Sequence, residues 1–287
     1  IGQYVQAFYI GGANGTHTIQ YNRCTTTGTI TDAGRPFQFR GGTNLTATIT
    51  RLNMNTGTAV LGNAGYWGNL NAQSRTIIAT VENCRFYGLW DGSVNNVDSS
   101  SGTATVIVRF CTFVNTYANN TQIMRFTNTS GLDTLNFRNN ILASKCDASM
   151  GTAGMLHCTT AAALTGITSD YNLFYLVNAT GNNTATGNAV NYATLAAWQA
   201  ATVHDDMSIE DNPDFTNLAT GDLHISLTSM AAEGGVAIGG VTIDLDGLTV
   251  AGFSGCAERT GGTTHAALPG HHSCSRSTVS GHTSLLP

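Results

Sequence analysis

Six strings along the chain, ending at Cys24, Met54, Phe86, Phe113, Leu142 and Phe174, repeat one pattern of apolar and polar positions. Five residues before these ends stand Ile19, Ile49, Val81, Val108, Phe137 and Ser169, nearly all apolar. Seven before stand His17, Ala47, Ala79, Val106, Leu135 and Ile167. Two before stand Asn22, Leu52, Cys84, Cys111, Asn140 and Asn172. The position four before is polar in every row: Gln20, Thr50, Glu82, Arg109, Arg138 and Asp170. Rows are spaced by 30, 32, 27, 29 and 32 residues. A period of that length marks a solenoid, in which each repeat is one supersecondary unit stacked on its neighbours.

In a straight strand, residues an odd and an even number of places apart face opposite ways. Apolar residues at zero, five and seven places back break that parity. A bend two to three places back restores it, with both arms turning their apolar residues inward. Asn suits such a bend because it tolerates left-handed backbone angles. The strings PFQF (36–39), QIMRF (122–126) and GMLHC (154–158) lie between the corners and predict a further sheet. About seven coils at roughly 4.8 Å per strand predict a rod about 35 Å long. An antiparallel sandwich would need a tight turn every 8–12 residues or so, and would not hold four columns in one register. Leu195, Trp198 and Thr202 fall at helical spacing and predict one short α-helix near residues 192–203. The expectation is an all-β parallel β-helix over 15–250, with an N-terminal strand in 1–14 and an irregular C-terminal tail over 251–287.

Charged residues make up only 10% of the 287, against about a quarter in typical soluble domains. The surface is therefore solvated by hydroxyls and amides. With net charge −5, one lysine (Lys145) and no basic run, no nucleic-acid partner is expected. No apolar run nears the roughly 20 residues of a membrane span. The Asn/Thr-rich, Lys-poor composition predicts a secreted, extracellular or cell-surface protein, and the start at Ile1 reads as a processed product or a fragment. The seven cysteines fit no metal spacing.

Corners such as FRNNIL resemble those of secreted right-handed parallel β-helix repeat proteins, the pectin-lyase-like fold, as found in bacteria. The run 191–225 resembles a closing module of bacterial members. There a short helix with Trp198 leads through Ser208 to Asn212-Pro213-Asp214-Phe215 and a final strand Asp222-Leu223-His224-Ile225. The resemblance implies fold and secretion. It leaves activity open, since this fold carries lyases, hydrolases, adhesins and inert rods. Beyond 243–247 (IDLDG) the chain departs from the family's closing strand and runs into a tail with four histidines: His265, His271, His272 and His282.

Candidate chemistry concentrates in the four-back column. Glu82 would neighbour Arg109, and Arg138 would neighbour Asp170, as two exposed ion pairs or as a pair of arginines gripping an acidic sugar. One carboxylate beside each Arg does not build a Ca²⁺ site of six or more oxygens, so no cofactor is expected, with Ca²⁺ as the one alternative. His204-Asp205-Asp206 reads as a turn, and Asp244-x-Asp246-Gly247 lacks the glutamate that completes a Ca²⁺ loop. The threonine clusters at 25–27 and 46–48 do not fall in one column. Tyr66, Trp67, Tyr87 and Trp90 are the aromatic candidates for a glycan groove. Cys24, Cys84 and Cys111 are expected to be buried small hydrophobes, while Cys146 with Cys158 and Cys256 with Cys274 are candidate disulfides. With no catalytic constellation, the chain reads as a structural or adhesive β-helix; the alternative is a polysaccharide-binding module, lyase or hydrolase. The N-terminal strand and the tail suggest self-association head to tail, unless both fold back along their own coil.

Overall fold

The computed structural model describes residues 8–11, 15–25, 37–40, 44–61, 68–71, 76–90, 95–99, 102–116, 122–129, 131–145, 154–178, 181–225, 229–232 and 235. The first turn holds β1 (Phe8–Gly11) and β2 (Gly15–Thr25), and the second β3 (Phe37–Arg40) and β4 (Asn44–Leu61). Then come β5 (Gly68–Asn71), β6 (Thr76–Glu82) and β7 (Arg85–Trp90), followed by β8 (Asn95–Ser99), β9 (Thr103–Arg109) and β10 (Thr112–Asn115). A further turn holds β11 (Met124–Asn128), β12 (Thr134–Arg138) and β13 (Ile141–Ser144). The next contains β14 (Gly154–Cys158), helix α1 (Ala161–Gly166), β15 (Ile167–Asp170) and β16 (Leu173–Leu176). The chain closes through β17 (Asn183–Gly187), β18 (Val190–Tyr192), helix α2 (Leu195–Ala201), β19 (Ile209–Glu210), β20 (Phe215–Asn217) and β21 (Asp222–Ile225).

The fold is a parallel β-solenoid, as the repeat predicts. One sheet runs β1-β3-β5-β8-β11-β14-β17-β18 and takes in 37–39, 124–126 and 154–158 of the three intervening strings. The corner strands stack as β2-β4-β6-β9-β12-β15 on one arm and β4-β7-β10-β13-β16-β19 on the other. The count of seven coils is corrected: about three turns, from β5 to β13, carry the complete unit of three separate strands. Before them one long strand, β4, runs through the corner. After them helices interrupt the unit, and α1 is a second helix that the spacing did not predict.

The bend lies three places back in five successive rows. Arg51, Asn83, Phe110, Asn139 and Tyr171 have φ of 59°, 53°, 54°, 56° and 56°. Only two of these are Asn. A left-handed angle costs a side-chain-bearing residue about 1–2 kcal/mol, so the stacked arms on either side must impose it.

Inside, two zero-column rings, Phe86 and Phe113, and one five-back ring, Phe137, form an aromatic stack. Phe86 and Phe113 lie 4.9 Å apart between ring centroids, and Phe113 and Phe137 6.4 Å apart. Val81, Val108, Ala79, Val106 and Leu135 pack beside them in the same core. The two-back column is a polar ladder. Asn140 donates to the Val108 carbonyl (3.0 Å) and accepts from the Cys111 N–H (3.0 Å). Asn172 repeats this one turn on, donating to the Phe137 carbonyl and accepting from the Asn140 N–H, each at 3.0 Å. In earlier turns the thiols of Cys84 and Cys111 lie against the Ile49 and Val81 carbonyls in the same way.

The N-terminal strand has a partner in its own chain, because β1 pairs in parallel with β3. The last turn is closed by β18, antiparallel to β17, and by α2. The hairpin β20–β21 folds back over the outer face of the corner sheet. Leu223 packs there on Tyr87, Val114 and Ala143, and Ile225 on Ile141 and Leu173. No helix among the described residues is long and apolar enough to cross a membrane. The tail 251–287 lies outside the described residues.

Candidate functional site

The four-back residues line up on successive strands, with Thr50 beside Glu82, Glu82 beside Arg109, Arg109 beside Arg138 and Arg138 beside Asp170. Each follows a buried core residue, so the column faces outward. The Glu82–Arg109 ion pair forms: Arg109 Nε donates to Glu82 Oε2 at 2.7 Å, and a second guanidinium nitrogen lies 2.6 Å from the same oxygen. The Arg138–Asp170 pair does not. Asp170 Oδ1 instead accepts the N–H of Tyr171 (2.9 Å), at the left-handed bend, and of Met207 (2.8 Å). Arg138 Nε is buried without a partner. Among the described residues no group of three or more His, Cys, Asp or Glu gathers to hold a metal.

The outer face beside this column carries hydroxyls. Thr18, Thr48 and Thr80 share the six-back column, which passes through Ile107 and Asn136 to Thr168. Thr48 thus shares its column with Thr18 and Thr80, and not with the 25–27 cluster. The column is broken by Ile107 and Asn136, so it is not a continuous hydroxyl array.

The densest polar centre is internal. Asp205, which the sequence places in a turn, is fully buried beneath α2. Its Oδ1 accepts from Ser169 Oγ (2.9 Å), Ser208 Oγ (2.7 Å) and Asn172 Nδ2 (3.0 Å), and its Oδ2 from Trp198 Nε1 (3.0 Å). Ser208 takes the next place in the ladder, its hydroxyl accepting the Asn172 N–H at 2.8 Å. Burial pushes the Asp205 carboxyl up, against the pull of those four hydrogen bonds. Trp198 is held between Tyr192, edge-on at 5.3 Å, and His204, stacked at 5.9 Å. His204 Nε2 lies 2.8 Å from the Leu164 carbonyl. The arrangement closes the end of the solenoid; its carboxylate faces structural donors and no open cleft.

Cys84 and Cys111 are buried and form no disulfide, as expected. Cys158 is also a free, buried thiol, so its expected bridge to Cys146 is corrected. Its position two places after Leu156 on β14 points it inward with the core. Burial first, and the Asp205 charge second, push that thiol's pKa well up. Cys146, Cys256 and Cys274 lie outside the described residues, as do Tyr66, Trp67, the Asp244–Gly247 loop and the tail histidines. Tyr87, expected in an open aromatic groove, is covered by the closing hairpin and donates its hydroxyl to the Ala219 carbonyl at 3.1 Å.

A further outward cluster lies on the opposite sheet. Arg125 on β11 stands in register with His157 on β14, and Thr127 follows two places along β11. These residues alternate with the core residues Met124, Phe126, Leu156 and Cys158 and therefore face outward. Burial, and then Arg125, lower the His157 pKa to about 4. In the sequence these strings predict only strands, although alternation alone places Arg125 and His157 on the outer face. No family model, curated protein or solved structure matches the chain.

Proposed function

We propose that this chain is a non-catalytic, extracellular β-solenoid with a structural or adhesive role. The observation that carries this reading is how the four-back column uses its charges. Glu82 is taken up by Arg109, and Asp170 by the backbone of the corner and of the closing segment. Those carboxylates hold the coil together and are not left to act as an acid and base across a substrate. The low charge and hydroxyl-rich composition support an extracellular setting. End-to-end association enters the proposal only through residues 251–287, since β1 lies in its own sheet and α2 sits over the last turn.

A second reading, a polysaccharide-binding module, lyase or hydrolase of the pectin-lyase-like fold, is favoured by Arg138, whose Nε lacks a partner on the outer face. Incubation with pectate, alginate and chondroitin, with and without Ca²⁺, separates the two. The structural role predicts no growth of the ultraviolet absorbance of unsaturated products and no new reducing ends. Either signal, if lost in Arg109→Ala or Arg138→Ala, would establish the enzymatic reading instead.

A further inference from the structure

We propose that the outer face of β11 and β14 holds a small-oxyanion site built from Arg125, Thr127 and His157. It lies on a different sheet from the four-back column and does not depend on the role proposed above. Arg125 and His157 are register partners on adjacent strands, hence about 4.8 Å apart, and Thr127 is roughly 6.7 Å along β11 on the same face. Thr127 Oγ1 and His157 Nδ1 are both buried and both without a hydrogen-bond partner. Two orphaned polar atoms beside one guanidinium are unusual, because buried hydroxyls and ring nitrogens are almost always satisfied.

The charges select the ligand. A metal cation at His157 Nδ1 would meet the Arg125 guanidinium one strand away. An oxyanion is attracted by that guanidinium, accepts the Thr127 hydroxyl proton, and gives a protonated His157 an acceptor. Of the residues in register on the flanking strands one is charged, and it stands beside Thr127, not beside Arg125. On β8, Asn96 stands in register with Arg125, and Asp98 with Thr127. On β17, Thr186 stands beside His157, and its hydroxyl is already engaged by the Gly154 N–H (2.7 Å) and Asn191 Oδ1 (3.1 Å). Burial and Arg125 now hold the imidazole neutral down to about pH 4. An anion seated between them offsets the repulsion, so binding and protonation of His157 reinforce one another. The shared chemistry is that of sulfate, phosphate or a carboxylate, free or borne on a polymer.

The test is an NMR titration of the His157 ring in the full chain, in chloride and then with inorganic sulfate, inorganic phosphate or acetate. At least one oxyanion should raise the His157 midpoint by about one pH unit or more. Its affinity should then rise about tenfold as pH falls from 7 through the free-state midpoint. Thr127→Val and Arg125→Gln should remove the shift, and Arg125→Gln alone should raise the midpoint in chloride. Dextran sulfate, set against inorganic sulfate, distinguishes a polymer-borne group, which binds more tightly, from a free ion, which binds equally well. An unchanged midpoint with all three ions overturns the site, and so does the same ion-induced shift in both variants. Calorimetry at pH 7 makes the comparison without acid exposure: weaker binding by Thr127→Val supports the site, and equal binding by variant and wild type overturns it.

Discussion

Asp205→Ala is expected to cost on the order of 4 kcal/mol or more in denaturant unfolding, among the largest losses any single substitution here would cause. The change leaves four donors, on Ser169, Asn172, Ser208 and Trp198, without their acceptor inside the closed end of the solenoid. Each buried group left unsatisfied costs about 1–3 kcal/mol, and relaxation of the cap recovers part of the sum. The loss should spread into the ladder, because Asn172 also holds Asn140. Asp205→Asn keeps one oxygen for three of the donors and turns an amide toward Trp198, so it should cost less than Ala. The pH dependence separates the two roles of the carboxyl. Burial raises its folded-state pKa above the unfolded value, so its contribution is fully present below the unfolded value. It is lost as pH rises through the folded value. Wild type should therefore lose stability over that window and Asp205→Asn should not. A flat wild-type profile there, or an Ala variant as stable as wild type, would remove Asp205 from the centre of the cap.

Phe113→Ala should cost about 3–5 kcal/mol by the same measurement. Phe113 is fully buried, with Phe86 at 4.9 Å on one side and Phe137 at 6.4 Å on the other. Its strand is paired on both edges, to β7 and β13, so the backbone has little freedom to close the cavity. Destabilisation below about 1 kcal/mol would mean that Phe113 does not join Phe86 and Phe137 in one continuous stack.

The solenoid was legible because each turn must bury the same inward columns, and burial writes itself into sequence as a period. The broken parity placed the bend two to three residues back, a range that includes its true place three back, and Asn83 and Asn139 mark it directly. Arg51, Phe110 and Tyr171 hid it, since nothing about an aromatic or arginine announces a left-handed angle. The coil count failed where helices enter the repeat. Thirty-six residues separate Asn172 from Ser208, more than the 27–32 of the other rows, because α2 lies between them. That longer step also concealed Asp205, whose partners Ser169 and Asn172 lie 36 and 33 residues away. Ser169, the one polar member of an apolar column, was the visible trace of it. Cys158 misled for a local reason: distance along the chain from Cys146 suggested a staple, whereas alternation on β14 turned the thiol into the core. The four-back column was in place from the repeat alone, but nothing in the repeat announces that the backbone takes Asp170.

One parallel stack should carry its outward columns straight along the outer face, and everything proposed for those columns depends on it. Thr48 and Thr168 belong to one column four strand steps apart. Nitroxides attached through unnatural side chains at these two positions, which leaves the native cysteines untouched, should give a narrow distance distribution near roughly 19 Å by pulsed electron resonance. A broad distribution, or a mean beyond about 30 Å, would contradict the stack.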